Sequence, residues 1–191
     1  MNVYFYKGEN TRNIFSELLV KKALELYNIE YDLGLSLEEI DQEKIGRTQK
    51  GKPYFNRIPL EFSISHSGNI WVCAMGECRV GIDIQIEKTA RTLEIAKRFF
   101  TKEESDFVLE NGTAAFFQVW SMKEAFVKFT GEGISYGFDK FSVVTDGKVT
   151  DGMENPIKCR FQKIELTEPL ECYICTAKKE KVSKKNLYKL C

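Results

Sequence analysis

Three stretches of this chain carry side chains whose types and spacing could do chemistry. In "VWSMKEAFVKFTG", Glu124 and Lys128 stand four residues apart, so on a helix advancing about 100° per residue they lie one above the other. Val119, Met122, Phe126 and Phe129 have the spacing of a core stripe, and the ionic pair falls on roughly the opposite side. An i, i+4 Glu–Lys pair is by itself ordinary on helix surfaces. Phe117 and Trp120 share its face, however, and apolar groups on both sides of a helix point to a pair lining a cleft.

The second stretch is "GIDIQIE", whose strict alternation puts Ile82, Ile84 and Ile86 on one strand face and Asp83, Gln85 and Glu87 on the other. Such a face can simply meet water at a sheet edge. A carboxylate flanked by isoleucines nevertheless calls for a partner. Two acids from separate elements suit a divalent cation, because a hard ion such as Mg²⁺ takes oxygen ligands and commonly uses only one or two carboxylates. Asp83 and Glu124 are the expected ligands, with Gln85 offering an amide oxygen directly or through water. The third stretch, "EFSISHSGN", holds the only histidine, His66, between Ser65 and Ser67 at a strand end. A lone histidine is more often structural, but these hydroxyls and turn amides form an anion cradle, and the imidazole can donate to a phosphate. Lys52 and Pro53 in "GKP" add a stiff turn with one cation, and Arg12 adds another at the start of the first helical stretch; each is commonplace alone.

The elements that must position these groups follow from periodicity. "TRNIFSELLVKKALELYNIE" predicts a first amphipathic helix, with Thr11 as its cap and Phe15, Leu18, Leu19 and Leu26 on its apolar side. Residues 61–87 predict three antiparallel strands joined by tight turns at Ser67-Gly68-Asn69 and Gly76-Glu77. One or two short helices over 91–110 are followed by a longer one capped by Thr113 and stopped by Gly131 and Gly133. Three more strands end the chain, with Asp146-Gly147 a hairpin turn. Helix then three strands thus occurs twice, which predicts an α+β fold of two pseudo-symmetric halves, each a helix packed on a three-stranded antiparallel sheet. The halves are expected at 1–82 and 83–191, with the active site between them.

Composition narrows the function classes. Lys plus Arg and Asp plus Glu are each 28, so no net field argues for nucleic acid. No run of about 18 apolar residues and no charged-then-apolar leader occurs, so no membrane partner is expected and a cytoplasmic monomer is. The six cysteines sit in apolar runs, as reduced core thiols do, and the Cys172/Cys175 spacing on a strand points the two to opposite faces. The basic stretch "KKEKVSKKNLYKLC" predicts a solvated tail or a contact with an acidic partner.

The chain resembles the 4'-phosphopantetheinyl transferases of the two-lobed Sfp type, which activate nonribosomal peptide and polyketide synthetases. The matching segments are "GKP", "FSISHSG", "GIDI", "LEIAKRFFTKEE", "VWSMKEAFVKFTGEGI" and "FDKFSV", in order over most of the chain. The combination of GID with WSMKEAxxK is the specific part. The resemblance implies coenzyme A and Mg²⁺ in the cleft between the halves. It also implies attack by a serine of an apo acyl or peptidyl carrier protein on the β-phosphate, releasing 3',5'-ADP; the alternative is a coenzyme A binding protein without transfer activity. It places Asp83 and Glu124 as metal ligands, Glu124 also as activator of the serine, and Lys128 on the phosphates. Ser65, His66, Lys52, Pro53 and Arg12 fall at coenzyme A contacts. Gln85 departs from the pattern, standing where members often have a third acid. The segment before the one matching residues 13–27 is also shorter than in other members, so contacts made there are expected to be absent or replaced.

Overall fold

A computed structural model describes residues 1–8, 14–88, 90–166 and 170–187. The chain forms two principal sheets, each of four strands where three were expected, because β12 and β9 add edge strands. The first contains β1 (Asn2–Lys7), β4 (Glu61–Ser67), β5 (Ile70–Gly76) and β12 (Ser183–Asn186), in the order β12-β1-β5-β4. Its pairs are antiparallel except β1 with β12, which is parallel. α1 (Ile14–Tyr31) covers one face through Leu19, Val20, Ala23, Leu24 and Tyr27. Leu18, expected on that face, is 56% exposed, because the buried stripe runs through 19/20, 23/24 and 27. α2 (Leu37–Gln42), with a capping box from Ser36 and Glu39, leads into the hairpin of β2 (Ile45–Arg47) and β3 (Pro53–Phe55).

The second sheet has the order β6-β11-β10-β9, from β6 (Val80–Ile86), β9 (Gly152–Met153), β10 (Cys159–Lys163) and β11 (Leu170–Thr176). α3 (Thr92–Phe99) and α4 (Lys102–Thr130) precede its later strands. α4 opens with a Thr101/Glu104 capping box, breaks at Gly112, whose φ of 80° and ψ of −160° only glycine adopts readily, and ends at the left-handed Gly131. The break falls one residue before the expected Thr113 cap. β7 (Val144–Thr145) and β8 (Lys148–Val149) form a small separate hairpin, whose Asp146 and Gly147 both have positive φ, as an Asp-Gly turn requires.

Two expectations change. The third strand of 61–87 does not join β4 in a backbone ladder; β6 pairs along its whole length with β11. On its other side, the N–H groups of Ile82, Ile84 and Ile86 donate to the hydroxyls of Ser63 (3.1 Å), Ser65 (3.4 Å) and Ser67 (3.0 Å) of β4. Serine at every second position holds the two strands one side chain apart while satisfying the donors a ladder would have used. The division expected between 82 and 83 therefore falls inside β6, which belongs to the second sheet. Residues 183–186 of the expected basic tail return to the first sheet as an edge strand, with Lys185 paired to Glu30 at 3.0 Å and Lys184 donating to the Glu165 carbonyl at 2.7 Å.

The sheets also face one another. Val3, Ile70, Val72 and Ala74 pack with Ile82, Ile84, Cys172 and Ile174 in a shared core, so the isoleucine face of β6 is buried between the sheets. Its other face meets α4 with no side chain between them at Gly81: a Cβ there would lie 2.0 Å from the Ala125 carbonyl oxygen and 2.3 Å from the Phe129 nitrogen. Ser121 of α4 adds a hydrogen bond to the Asp83 carbonyl at 3.1 Å. Strand and helix backbones are in contact, which sets Asp83, on the same face as Gly81, against the Glu124–Lys128 side of the helix.

Lys123 and Glu104 form a second charged feature of α4, both 0% exposed and 2.9 Å apart. Lys123 also donates to the carbonyls of Phe138 and Phe141 at 2.6 Å and lies 4.0 Å from the Phe141 ring centre, while Glu104 accepts from the Val143 N–H. This network ties the loop after α4 to the helix from within the core.

Gly81→Ala is expected to lower the unfolding free energy by about 3 kcal/mol, since backbone on both sides must shift; an unchanged urea midpoint would contradict the close approach. Lys123→Ala, which strands a buried carboxylate, is expected to cost about 4 kcal/mol by the same measurement, and a loss below about 1 kcal/mol would show the pair to be dispensable.

Candidate active site

Asp83, Ser65 and Lys128 come together from three elements. Lys128 Nζ lies 2.7 Å from Asp83 Oδ1, and Ser65 Oγ donates to the same oxygen at 2.7 Å while accepting from Lys128 at 2.9 Å. Gln85 Nε2 donates to Asp83 Oδ2 at 2.9 Å. The Asp83 side chain is 3% exposed and both its oxygens are engaged, whereas Lys128, 28% exposed, opens into a cleft. β6 places Asp83 and Gln85, β4 places Ser65, and the last turns of α4 place Glu124 and Lys128.

The cleft has a volume of about 400 Å³ and runs between α4 and the β2–β3 hairpin, with Lys52, Pro53, Glu124 and Lys128 in its wall. Arg47, at the end of β2, and Lys50, in the turn that carries Lys52, add two cations that reading "GKP" alone overlooks. Lys52 reaches inward: its ammonium donates to the Val80 carbonyl at 3.2 Å and the Phe129 carbonyl at 3.4 Å, with Glu61 at 3.6 Å. Burial lowers its pKa from the ordinary lysine value, and Glu61 opposes that shift. Lys52 thereby pins the hairpin to the end of α4, where the helix dipole favours a cation. Further along β4, His66 is exposed, two residues from the cleft-lining Ile64 on the same strand face. Arg12 and Thr11 lie outside the described residues.

Glu124 feels the charge of Asp83. Its carboxyl is pushed from its ordinary 4.5 up to about 7, first by burial and then by the charge of Asp83, with Lys128 acting in the opposite sense. Among the described residues no set of three or more His, Cys, Asp or Glu side chains is placed to share one metal ion. Two carboxylates with Lys128 as their cation form an oxygen donor pair that fits a hard divalent cation with water completing its shell, whereas Gln85, expected to offer its amide oxygen, turns its amide nitrogen to Asp83. Trp120, expected beside Glu124, packs instead with Phe100, Phe116 and Phe138; on the Glu124 stripe Ser121 and Lys128 both touch β6, at the Asp83 carbonyl and carboxylate.

Phe100 is buried in that aromatic cluster, whereas Phe99 is 44% exposed beneath the Arg98 guanidinium. Lys123, inside the motif that supplies Glu124, serves the core. Among the described residues no helix is long and apolar enough to cross a membrane.

Residues 79–177 match the family model of the 4'-phosphopantetheinyl transferase superfamily, and the chain belongs to that family. It is 37% identical over 176 residues to the 4'-phosphopantetheinyl transferase psf-1 of Bacillus pumilus, covering 87% of this chain and 71% of that protein. It is 32% identical over 182 residues to the 4'-phosphopantetheinyl transferase Sfp of Bacillus subtilis (strain 168), covering 91% and 77%.

An acid whose pKa rises on folding holds more protons in the folded state than in the unfolded chain between the two values, so stability falls as pH rises through that window. For Glu124 in the metal-free protein the window is 4.5 to about 7. The urea midpoint of Glu124→Gln relative to the parent is therefore expected to increase between pH 5 and pH 8; a difference independent of pH would contradict the burial of Glu124 beside Asp83.

Proposed function

We propose that the protein transfers the 4'-phosphopantetheine arm of coenzyme A to a serine of an apo acyl or peptidyl carrier protein, releasing 3',5'-ADP, and that it acts as a cytoplasmic monomer dependent on Mg²⁺. The observation that carries this reading is the meeting of Asp83, Glu124 and Lys128 at a cleft with three further cations in its wall, an arrangement suited to a diphosphate. Asp83 and Glu124 would hold the metal, with Gln85 beside them, and the ion when bound would neutralise charge on the diphosphate.

The chain's own residues supply the rest. Lys128, held at the cleft wall by Asp83 and Ser65, faces the phosphates and stabilises charge that grows as the bond to the leaving group lengthens. Lys52 and Pro53 fix the hairpin that flanks the nucleotide, and Arg47 and Lys50 offer charge to its outer phosphate. Glu124 orients the carrier serine and takes its proton, directly or through water. The serine oxygen forms a bond to the β-phosphorus, the bond from that phosphorus to the bridging oxygen breaks, and 3',5'-ADP departs with the electron pair. The carrier would approach beside α3, where Phe99 offers an apolar contact.

An apo-carrier incubated with coenzyme A and Mg²⁺ is expected to gain the mass of the arm. Asp83→Ala and Glu124→Ala are each expected to slow the gain by about 10²-fold or more with the melting temperature retained, and Gln85→Glu to tighten Mg²⁺ binding. Transfer by either alanine variant at the parent rate would refute the assignment. Coenzyme A binding without mass gain on several carriers would establish a binding protein instead.

A further inference from the structure

The three serines of β4 are not equivalent. For Ser63 and Ser67 the recorded partner is one N–H each, of Ile82 at 3.1 Å and of Ile86 at 3.0 Å. Ser65 makes the longest of the three contacts to β6, 3.4 Å from Ile84 N, and makes two shorter ones to Asp83 and Lys128. A hydroxyl has one hydrogen and two acceptor sites. At Ser65 the hydrogen goes to Asp83 Oδ1, and both acceptor sites are taken by Lys128 and Ile84 N–H. The residue is buried and its bonding capacity is filled.

Resting on the transferase reading above, we infer that Ser65 is a positioning residue: its hydroxyl fixes the Lys128 ammonium and the Asp83 carboxylate relative to one another, rather than binding the cofactor itself. The geometry gives a reason for a hydroxyl there. Lys128 and Asp83 both belong to the second half, and Ser65 is the side chain of the first half that touches both, so the relative placement of the halves reaches the site through it. A long lysine side chain held by two partners at 2.7 and 2.9 Å keeps one rotamer, and with one partner removed it regains freedom.

Two measurements separate this inference from the reading beneath it. In the protein without metal or coenzyme A, the ¹⁵N-correlated spectrum of lysine ammonium groups is expected to show a slowly exchanging Lys128 signal, assigned by its loss in Lys128→Gln. That signal should broaden beyond detection in Ser65→Ala and persist in Ser65→Thr, with thermal melts confirming that both variants fold. A signal unchanged in Ser65→Ala would overturn the inference whether or not the protein transfers phosphopantetheine. In the transfer assay, Ser65→Ala is expected to lower kcat at least about 10-fold with KM for coenzyme A within about 3-fold, and Ser65→Thr to recover most of kcat, as loss of preorganised charge stabilisation does. A raised KM with kcat retained would assign Ser65 to the cofactor and contradict positioning. If the parent enzyme transfers nothing to any carrier, the transferase reading fails while the ammonium spectrum still decides the role of Ser65.

Discussion

Everything at the site depends on how β6 is gripped. One edge is laddered to β11, the other is caught by three serine hydroxyls of β4, one face is buried between the sheets, and at Gly81 the other lies directly on the backbone of α4. A strand fixed on four sides has no freedom to slide, and a shift of one residue would turn Asp83 away from the helix and into the shared core. The acid is thus held by main-chain geometry before any of its own hydrogen bonds are counted.

Two adjacent residues of α4 show how burial separates structure from chemistry. Lys123 points into the aromatic core, where Glu104, two carbonyls and the Phe141 ring satisfy it completely. Glu124, about 100° further round the helix, faces Asp83 and Lys128 at a cleft and bears a carboxyl displaced toward neutrality. The first arrangement is closed and stabilises a unique packing of the loop after the helix. The second is incomplete in charge, and an incomplete charge set beside a cationic cleft is what a metal and a diphosphate would balance.

Local patterns made much of this legible. The alternation of "GIDIQIE" put Asp83 on the face opposite the isoleucines, the spacing of Glu124 and Lys128 placed them on one side of α4, and Asp146-Gly147 formed the turn its dihedral preferences require. What escaped was non-local. β12 is polar in sequence, so no hydrophobic signal marks it. β6 alternates like any third strand of a meander, and only the serines at 63, 65 and 67 of its neighbour hint that it joins a different sheet. Trp120 and Lys123 were misjudged or overlooked because helical spacing gives a side chain's direction without saying what it meets there. Arg47 and Lys50 reach the cleft because their hairpin is folded against the end of α4, held by Lys52 and by contacts of Lys50 with Glu132 and Ser135.

In the proposed reaction β6 and α4 bring two distant carboxylates onto one cation. Crystals grown with coenzyme A and Mn²⁺ in place of Mg²⁺ test it through the anomalous signal of the manganese. A single strong peak is expected between the carboxylates of Asp83 and Glu124, beside the diphosphate. Coenzyme A in the cleft with the manganese peak elsewhere, or with either carboxylate turned away from it, would show that the two acids do not share a metal.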